Sequence, residues 1–215
     1  MAIKLQTESL ERTNNRDKYP PVILASSSPR RYEILSRMGL SFTVDSADVD
    51  ESVDRNLKPH EAVKTLALRK AAAVAPHYTQ GLIIGADTVV VVDNVILGKP
   101  SNHEDALAML LTLQGREHSV YSGYAVIDAA SGKTEVDYDH TAVVFRSFTE
   151  EEARRYIATG EPLGKAGAYA IQGLGALFVK EIHGDYLNVV GLPLFKLAQT
   201  LKNFGLDILN AALSN

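Results

Sequence analysis

Apolar residues fall along this chain in two rhythms, and the alternation between them predicts most of its elements. Val22-Ile23-Leu24 and the long run from Leu82 to Val92 have the continuous, β-branched character of buried strands. Val63, Leu66, Ala67, Ala71 and Val74 instead recur at three- and four-residue intervals, the stripe of a helix. Pro59 near its start and Pro76 at its stop predict a helix from Pro59 to Ala75. The first run passes through Ser26-Ser27-Ser28 into Pro29-Arg30-Arg31-Tyr32-Glu33-Ile34-Leu35. That reads as a strand entering a helix, with Ser28 as N-cap and Pro29 at the first helical position. The helix ends near Met38-Gly39, and Ser41 to Ser46 alternates like another strand.

The second half follows the same grammar. Asp93-Asn94 turns the chain into Val95-Ile96-Leu97. Ser101-Asn102-His103-Glu104 reads as a capping box opening a helix through Leu113, closed by Gly115. Strands from His118 to Asp128 and Thr134 to Arg146 meet in a hairpin-like turn at Ser131-Gly132-Lys133. Thr149-Glu150-Glu151-Glu152 opens a helix ending at Gly160, its acids complementing the dipole. A glycine-rich loop from Gly164 to Gly175 interleaves Lys165, Tyr169 and Gln172, and lies near something. A strand from Ala176 to Ile182, a loop through Gly184-Asp185-Tyr186, and a helix from Pro193 to before Gly205 complete the body. Residues 206–215 read as an apolar terminal turn. The class is α/β, and the hairpin-like pair makes the sheet mixed.

Composition adds bounds. At 215 residues, 46% hydrophobic and 22% charged, the chain can bury a sizeable core as one domain or two lobes. Its net charge of -4 supplies no bulk attraction to nucleic acid, so any polyphosphate site must be a local basic cluster. With no cysteine there are no disulfides or thiolate metal sites, which suits the cytoplasm. No apolar run reaches membrane length. Polar residues 1–20 read as a flexible extension before a domain spanning 21–215.

Three features carry candidate chemistry. Arg30 and Arg31 in a helix's first turn oppose the macrodipole, a cost that a bound anion would reverse. The alternative is two solvated arginines on an ordinary helix. Asp45, Asp48, Asp50, Glu51 and Asp54 crowd one stretch, the composition of a solvated loop. Asp87 lies within the most apolar run, where a carboxylate costs several kcal/mol unless paired, metal-bound or protonated. It is read as a metal ligand or general base, with a structural ion pair as the alternative.

Leu24-Ala25-Ser26-Ser27-Ser28-Pro29-Arg30-Arg31-Tyr32-Glu33-Ile34-Leu35 resembles the signature of the Maf family of nucleotide pyrophosphatases. Further blocks recur in that family's order: Val49-Asp50-Glu51, Leu68-Arg69-Lys70-Ala71, Gly85-Ala86-Asp87-Thr88, Gly98-Lys99-Pro100, Lys165-Ala166-Gly167-Ala168-Tyr169, Ile171-Gln172-Gly173 and Val189-Val190-Gly191-Leu192-Pro193. The resemblance spans about residues 21–205. It implies an elongated two-lobed mixed-sheet α/β fold of the inosine-triphosphatase-like type, with a central cleft and often a homodimer. It further implies metal-dependent hydrolysis of a nucleoside triphosphate to monophosphate and pyrophosphate. Arg30, Arg31, Lys70 and Lys99 would bind phosphates with Ser26. Glu51 and Asp87 would hold Mg²⁺ or Mn²⁺, and Asp87 would activate water. Arg30, Thr88 and Gln172 match the branch acting on dTTP and UTP rather than the 7-methyl-GTP branch, which carries Trp, Gln and Glu. Gly98 and Gly164 stand where many members carry acids, and Ser122 where threonine is common. Two other functions stay open: a non-catalytic nucleotide-binding regulator of septum formation, and a house-cleaning enzyme for ITP or XTP.

Overall fold

The computed structural model describes residues 19–54 and 57–213. The expected extension thus lies almost wholly outside the described residues. The elements are β1 (Val22–Ala25), α1 (Pro29–Arg37), β2 (Phe42–Val44), α2 (Pro59–Val74), β3 (Leu82–Val92), β4 (Val95–Leu97) and α3 (His103–Leu113), followed by β5 (Glu117–Asp128), β6 (Thr134–Phe145), α4 (Glu150–Ala158), β7 (Val179–His183), α5 (Tyr186–Val190), α6 (Leu194–Asn203) and α7 (Ile208–Ala212).

One mixed sheet runs β2-β1-β3-β5-β6-β7, with β4 also on β3. β2, β1 and β3 are parallel, while the β3-β5-β6-β7 ladder is antiparallel. The two-residue period of β3 then sorts its side chains. Leu82, Ile84, Ala86 and Val90 enter the main core with Ile34 and Leu35 of α1, Leu110 of α3 and Leu197 of α6. Ile83 faces the other way, onto Ala67, Ala71 and Val74 of α2. Asp87 shares that odd-numbered phase, and so points toward α2.

Several local expectations shift. Ser28 occupies the N-cap of α1 but makes no side-chain cap bond; its neighbour Ser26 receives the Ser28 N–H instead. The cap of α3 is Asn102, accepting from Asp105 N, and Asp105 reaches back to Ser101 N. The cap thus sits one residue later than expected, and the reciprocal box at Ser101 and Glu104 does not form; Asn102 is as good a cap as Ser101. Residues 174–178 form a 3₁₀ turn, so β7 begins at Val179. The loop expected through Tyr186 instead contains α5, capped by Asp185. The capping box at Thr149 and Glu152 forms as expected.

Candidate active site

The floor of the site is a gap in the sheet. β1 stops at Ala25, paired with Gly85, and β4 takes up the same edge of β3 only from Val90. β1 and β3 run parallel there, and the chain leaves β1 for α1 while β2 lies on its far side. That is a topological switch point, where open α/β sheets bind ligands beyond their strands' carboxyl ends. A cleft of about 1330 Å³ opens there. Asp87 lies in the gap, 8% exposed. The run reads from sequence as a buried strand, yet its unpaired edge opens Asp87 to the cleft.

Glycine brings the facing helix close. A Cβ on Gly85 would sit 2.2 Å from Ala67 O, and one on Gly123 would sit 2.5 Å from Val63 O. With hydrogen at both positions, α2 lies directly on β3 and β5, and Lys70 reaches the floor. Its ammonium lies 2.6 Å from Asp87 Oδ1 and 2.8 Å from Glu51 Oε1. Lys99, just after β4, reaches Glu51 Oε2 at 3.0 Å. Lys70, then Lys99, hold the Glu51 carboxyl far below its ordinary value, at about 2, against the opposing effect of desolvation. The loop bearing Glu51 is tied to α2 by Arg69, which donates to Asp50 O and to Ser52 O. Asp45 pairs with His77 and Asp50 with Ser52. Of the acidic run, Glu51 bonds the cleft lysines.

The opposite wall is built from Arg31. Its guanidinium is buried, and desolvation lowers its pKa. Nε donates to Gly191 O at 2.9 Å, Nη1 to Ser26 Oγ at 3.0 Å and Nη2 to Thr88 Oγ1 at 3.2 Å. Ser26 Oγ also accepts from Ser28 N at 3.3 Å. Both its lone pairs are therefore engaged, and its proton has no acceptor among the described residues. Ser26 lines the cleft, so this hydroxyl is free to donate to an anion bound there. Arg30 donates to Val190 O, and burial lowers its pKa. Lys165 lines the same cleft, its pKa lowered by desolvation and then by Arg30.

Gln172 is exposed on the cleft rim. Its loop hangs on Glu161, a residue the sequence did not single out. Glu161 accepts from Tyr156 OH, Leu174 N and Gly175 N. A Cβ at Gly173 would lie 2.3 Å from that carboxylate, so glycine beside Gln172 leaves room for the anchor. Farther along, Tyr169 OH meets the buried His118 Nε2 at 2.9 Å, and burial pushes that imidazole down to about 4. Ser122 and Asn188 were also missed as members of the Arg31 wall. Asn188 was the legible one, as a lone amide inside Leu187-Asn188-Val189-Val190.

The nine residues expected at the site sort plainly. Glu51, Lys70, Asp87 and Lys99 form one ionic ladder; Ser26, Arg31 and Thr88 form one hydrogen-bonded wall; Arg30 and Gln172 line the cleft separately. Among the described residues no group of three or more His, Cys, Asp or Glu could hold a metal alone. No helix among them is long and apolar enough to cross a membrane.

A mixed α/β sheet with a heavily ionised cleft at its switch point is the class this molecule defines. The Maf-like protein family model matches residues 21–204, and the chain belongs to that family. The dTTP/UTP pyrophosphatase of Pelotomaculum thermopropionicum is 55% identical over 188 residues, covering 87% of this chain and 98% of that one. The protein of the same name from Desulforamulus reducens is 52% identical over equal shares. That from Moorella thermoacetica is 52% identical over 187 residues, covering 87% and 96%. Among solved structures, the Staphylococcus aureus Ham1 protein aligns with a TM-score of 0.40 at 15% identity, covering 58% of this chain and 71% of that one.

Proposed function

We propose that this protein is a nucleoside triphosphate pyrophosphatase that hydrolyses dTTP and UTP to the monophosphate and pyrophosphate. The observation that carries the reading is the meeting of Asp87 with Lys70 and Glu51 on the cleft floor, across from the Arg31 and Ser26 donors. Relatives bearing that activity in their names, identical at half of all aligned positions, support it.

In this reading the polyphosphate lies along Arg30, Arg31 and the Ser26 hydroxyl. Anion charge is met there by donors whose own partners are carbonyls and hydroxyls rather than acids. Lys70 and Lys99 turn from Glu51 toward phosphate oxygens as the substrate enters. Asp87 then accepts the proton of a water attacking the α-phosphorus, and pyrophosphate leaves. Developing charge on the phosphoryl oxygens is stabilised by the cations already in place.

The donor chemistry fits Mg²⁺ or Mn²⁺ in one way only. Glu51 and Asp87 offer hard carboxylate oxygens, as these ions require, but two acids do not complete a shell. Phosphate oxygens of the substrate would supply the rest, and a cation so held would neutralise charge and polarise the phosphoryl group. For the base, Gln172 presents both a donor and an acceptor, matching the carbonyl and N–H of a uracil or thymine edge.

The test is a panel of nucleoside triphosphates, modified pyrimidine nucleotides included, with products identified and with Mg²⁺, Mn²⁺ or chelator present. Pyrophosphate and monophosphate from dTTP and UTP are expected, dependent on the cation. Release from no nucleotide at saturating protein would leave a binding protein that regulates division; faster turnover of ITP or XTP would move the substrate to purines.

A further inference from the structure

Ser122 and Asn188 are fully buried and do not line the cleft, yet they connect to it. Asn188 uses its whole amide on its surroundings. Oδ1 accepts from Ser122 N at 3.1 Å, while Nδ2 donates to Val120 O at 3.0 Å and Thr141 Oγ1 at 2.9 Å. Its backbone carbonyl accepts the Ser122 hydroxyl proton at 2.8 Å.

That last bond sets a direction. A carbonyl cannot donate, so the single Ser122 proton is committed to it. The 2.8 Å contact between the Ser122 and Thr88 hydroxyls then requires Thr88 to be the donor. Thr88 is left with lone pairs only, and Arg31 Nη2 donates to one of them at 3.2 Å. The opposite arrangement would send the Thr88 proton to Gly191 O over a longer contact, 3.3 Å against 2.8 Å. It would also set lone pairs of Ser122 and Asn188 against each other at 2.8 Å. The chain therefore runs one way: Arg31 to Thr88 to Ser122 to the Asn188 carbonyl.

We infer that Ser122 and Asn188 are positioning residues that hold the Arg31 guanidinium, through Thr88, for the polyphosphate, and that Thr88 acts through Arg31 rather than by giving its proton to the base. The inference rests on the reading of this cleft as a polyphosphate site. It differs from the resemblance-based expectation, which put Thr88 among the base-selecting positions.

Inorganic tripolyphosphate carries the charge without a base, and its affinity for the whole chain can be measured by calorimetry beside KM values for UTP and CTP. Ser122→Ala and Thr88→Val are each expected to weaken tripolyphosphate about three- to tenfold. The two KM values should rise together, so that their ratio is kept. Thr88→Ser should recover most of the affinity. Because the residues act in series, the double variant should bind little worse than Thr88→Val alone. Circular dichroism and melting separate this from damage to the fold, and if Ser122→Ala does not fold, the two Thr88 variants decide alone. Wild-type tripolyphosphate affinity in Thr88→Val overturns the inference, as does a changed UTP-to-CTP ratio. The outcomes also separate from the activity itself. A wild type that cleaves UTP but binds no tripolyphosphate sinks this inference alone. A chain that binds tripolyphosphate as described but cleaves no nucleotide sinks only the pyrophosphatase reading.

Discussion

Replacing Asp87 by Asn keeps the shape of the cleft floor and removes one charge, which lets stability and turnover be read apart. Asp87 is 8% exposed and its partner Lys70 has a side chain 14% exposed, 2.6 Å away. Stranding a buried ammonium costs about 3–5 kcal/mol. Lys70 is not stranded here, however, since Glu51 stays 2.8 Å away and the Asn carbonyl still accepts a proton. The stability loss should therefore be about 1–2 kcal/mol, that of weakening one hydrogen bond to a charged group. Turnover should fall much further. Losing a general base costs about 10²–10⁴ in rate, or about 3–5 kcal/mol of barrier at 1.36 kcal/mol per decade. Urea denaturation measures the first quantity and pyrophosphate release the second. Raised Mn²⁺ adds a third reading: turnover that recovers makes Asp87 a metal ligand, and turnover that does not makes it the base. A folded Asp87→Asn protein working near the wild-type rate would refute both roles.

Four further outcomes follow from the geometry. Arg31→Ala should weaken binding of all nucleoside triphosphates alike and cost about 2–4 kcal/mol of stability, because Gly191 O, Ser26 and Thr88 lose their donor together; a loss confined to one base, in a substrate panel, would place Arg31 at the ring instead. Gln172→Glu should erode the preference for dTTP and UTP over 7-methyl-GTP about tenfold, since a carboxylate repels the uracil carbonyl; competition kinetics with paired substrates would show it. Gly85→Ala drives a methyl to within 2.2 Å of Ala67 O and should destabilise by about 1–3 kcal/mol or more in chemical denaturation. His118 titrates at about 4 in the fold against 6.5 ordinarily, so on acidification the unfolded chain takes its proton first. Its contribution, about 3 kcal/mol, is fully present above pH 6.5, declines toward pH 4 and then levels; a His118→Gln chain should lack that segment of the stability curve.

What the sequence made legible was periodic. The apolar run of β3 is long enough to declare a buried strand, and Asp87 within it is anomalous on its own terms. The stripe of α2 ends at Pro76, which locates both Lys70 and the face it borders. What stayed illegible depends on contacts between distant segments. That the β3 edge is unpaired from Ala86 to Val89 follows from where β1 and β4 stop, which no local pattern records. Helix α5 has five residues, less than two turns, too short for an apolar period to emerge. Leu174-Gly175-Ala176-Leu177-Phe178 has strand-like composition but folds as a 3₁₀ turn around the Glu161 carboxylate. Thr88 could be located from sequence, whereas the direction of its hydrogen bond depends on Asn188, a hundred residues later.

The distribution of charge across the cleft bears on whether this molecule only binds nucleotides. On the ladder side, Lys70 and Lys99 face Glu51 and Asp87, two cations against two acids, so the free wall is close to neutral. On the other side, Arg30 and Arg31 give their hydrogen bonds to carbonyls and hydroxyls. Within a chain of net charge -4, that second wall alone is a local positive field able to capture a polyanion. A pure binder would need nothing more. Adding Asp87 and Glu51 weakens anion binding, since each acid repels phosphate and occupies a lysine. A carboxylate sunk into an apolar strand has a further desolvation cost. Such a feature is disadvantageous for affinity and advantageous for proton transfer or cation recruitment, which is the pattern expected when a site favours the transition state over the bound substrate. The same logic sets a measurable contrast: with divalent cations chelated, removing the acid should tighten nucleotide binding, while turnover with the cation present falls. Asp87→Asn that binds UTP more weakly than wild type in chelator would mean the acid serves the ground state without a cation, and the argument for catalysis from charge placement would fail with it.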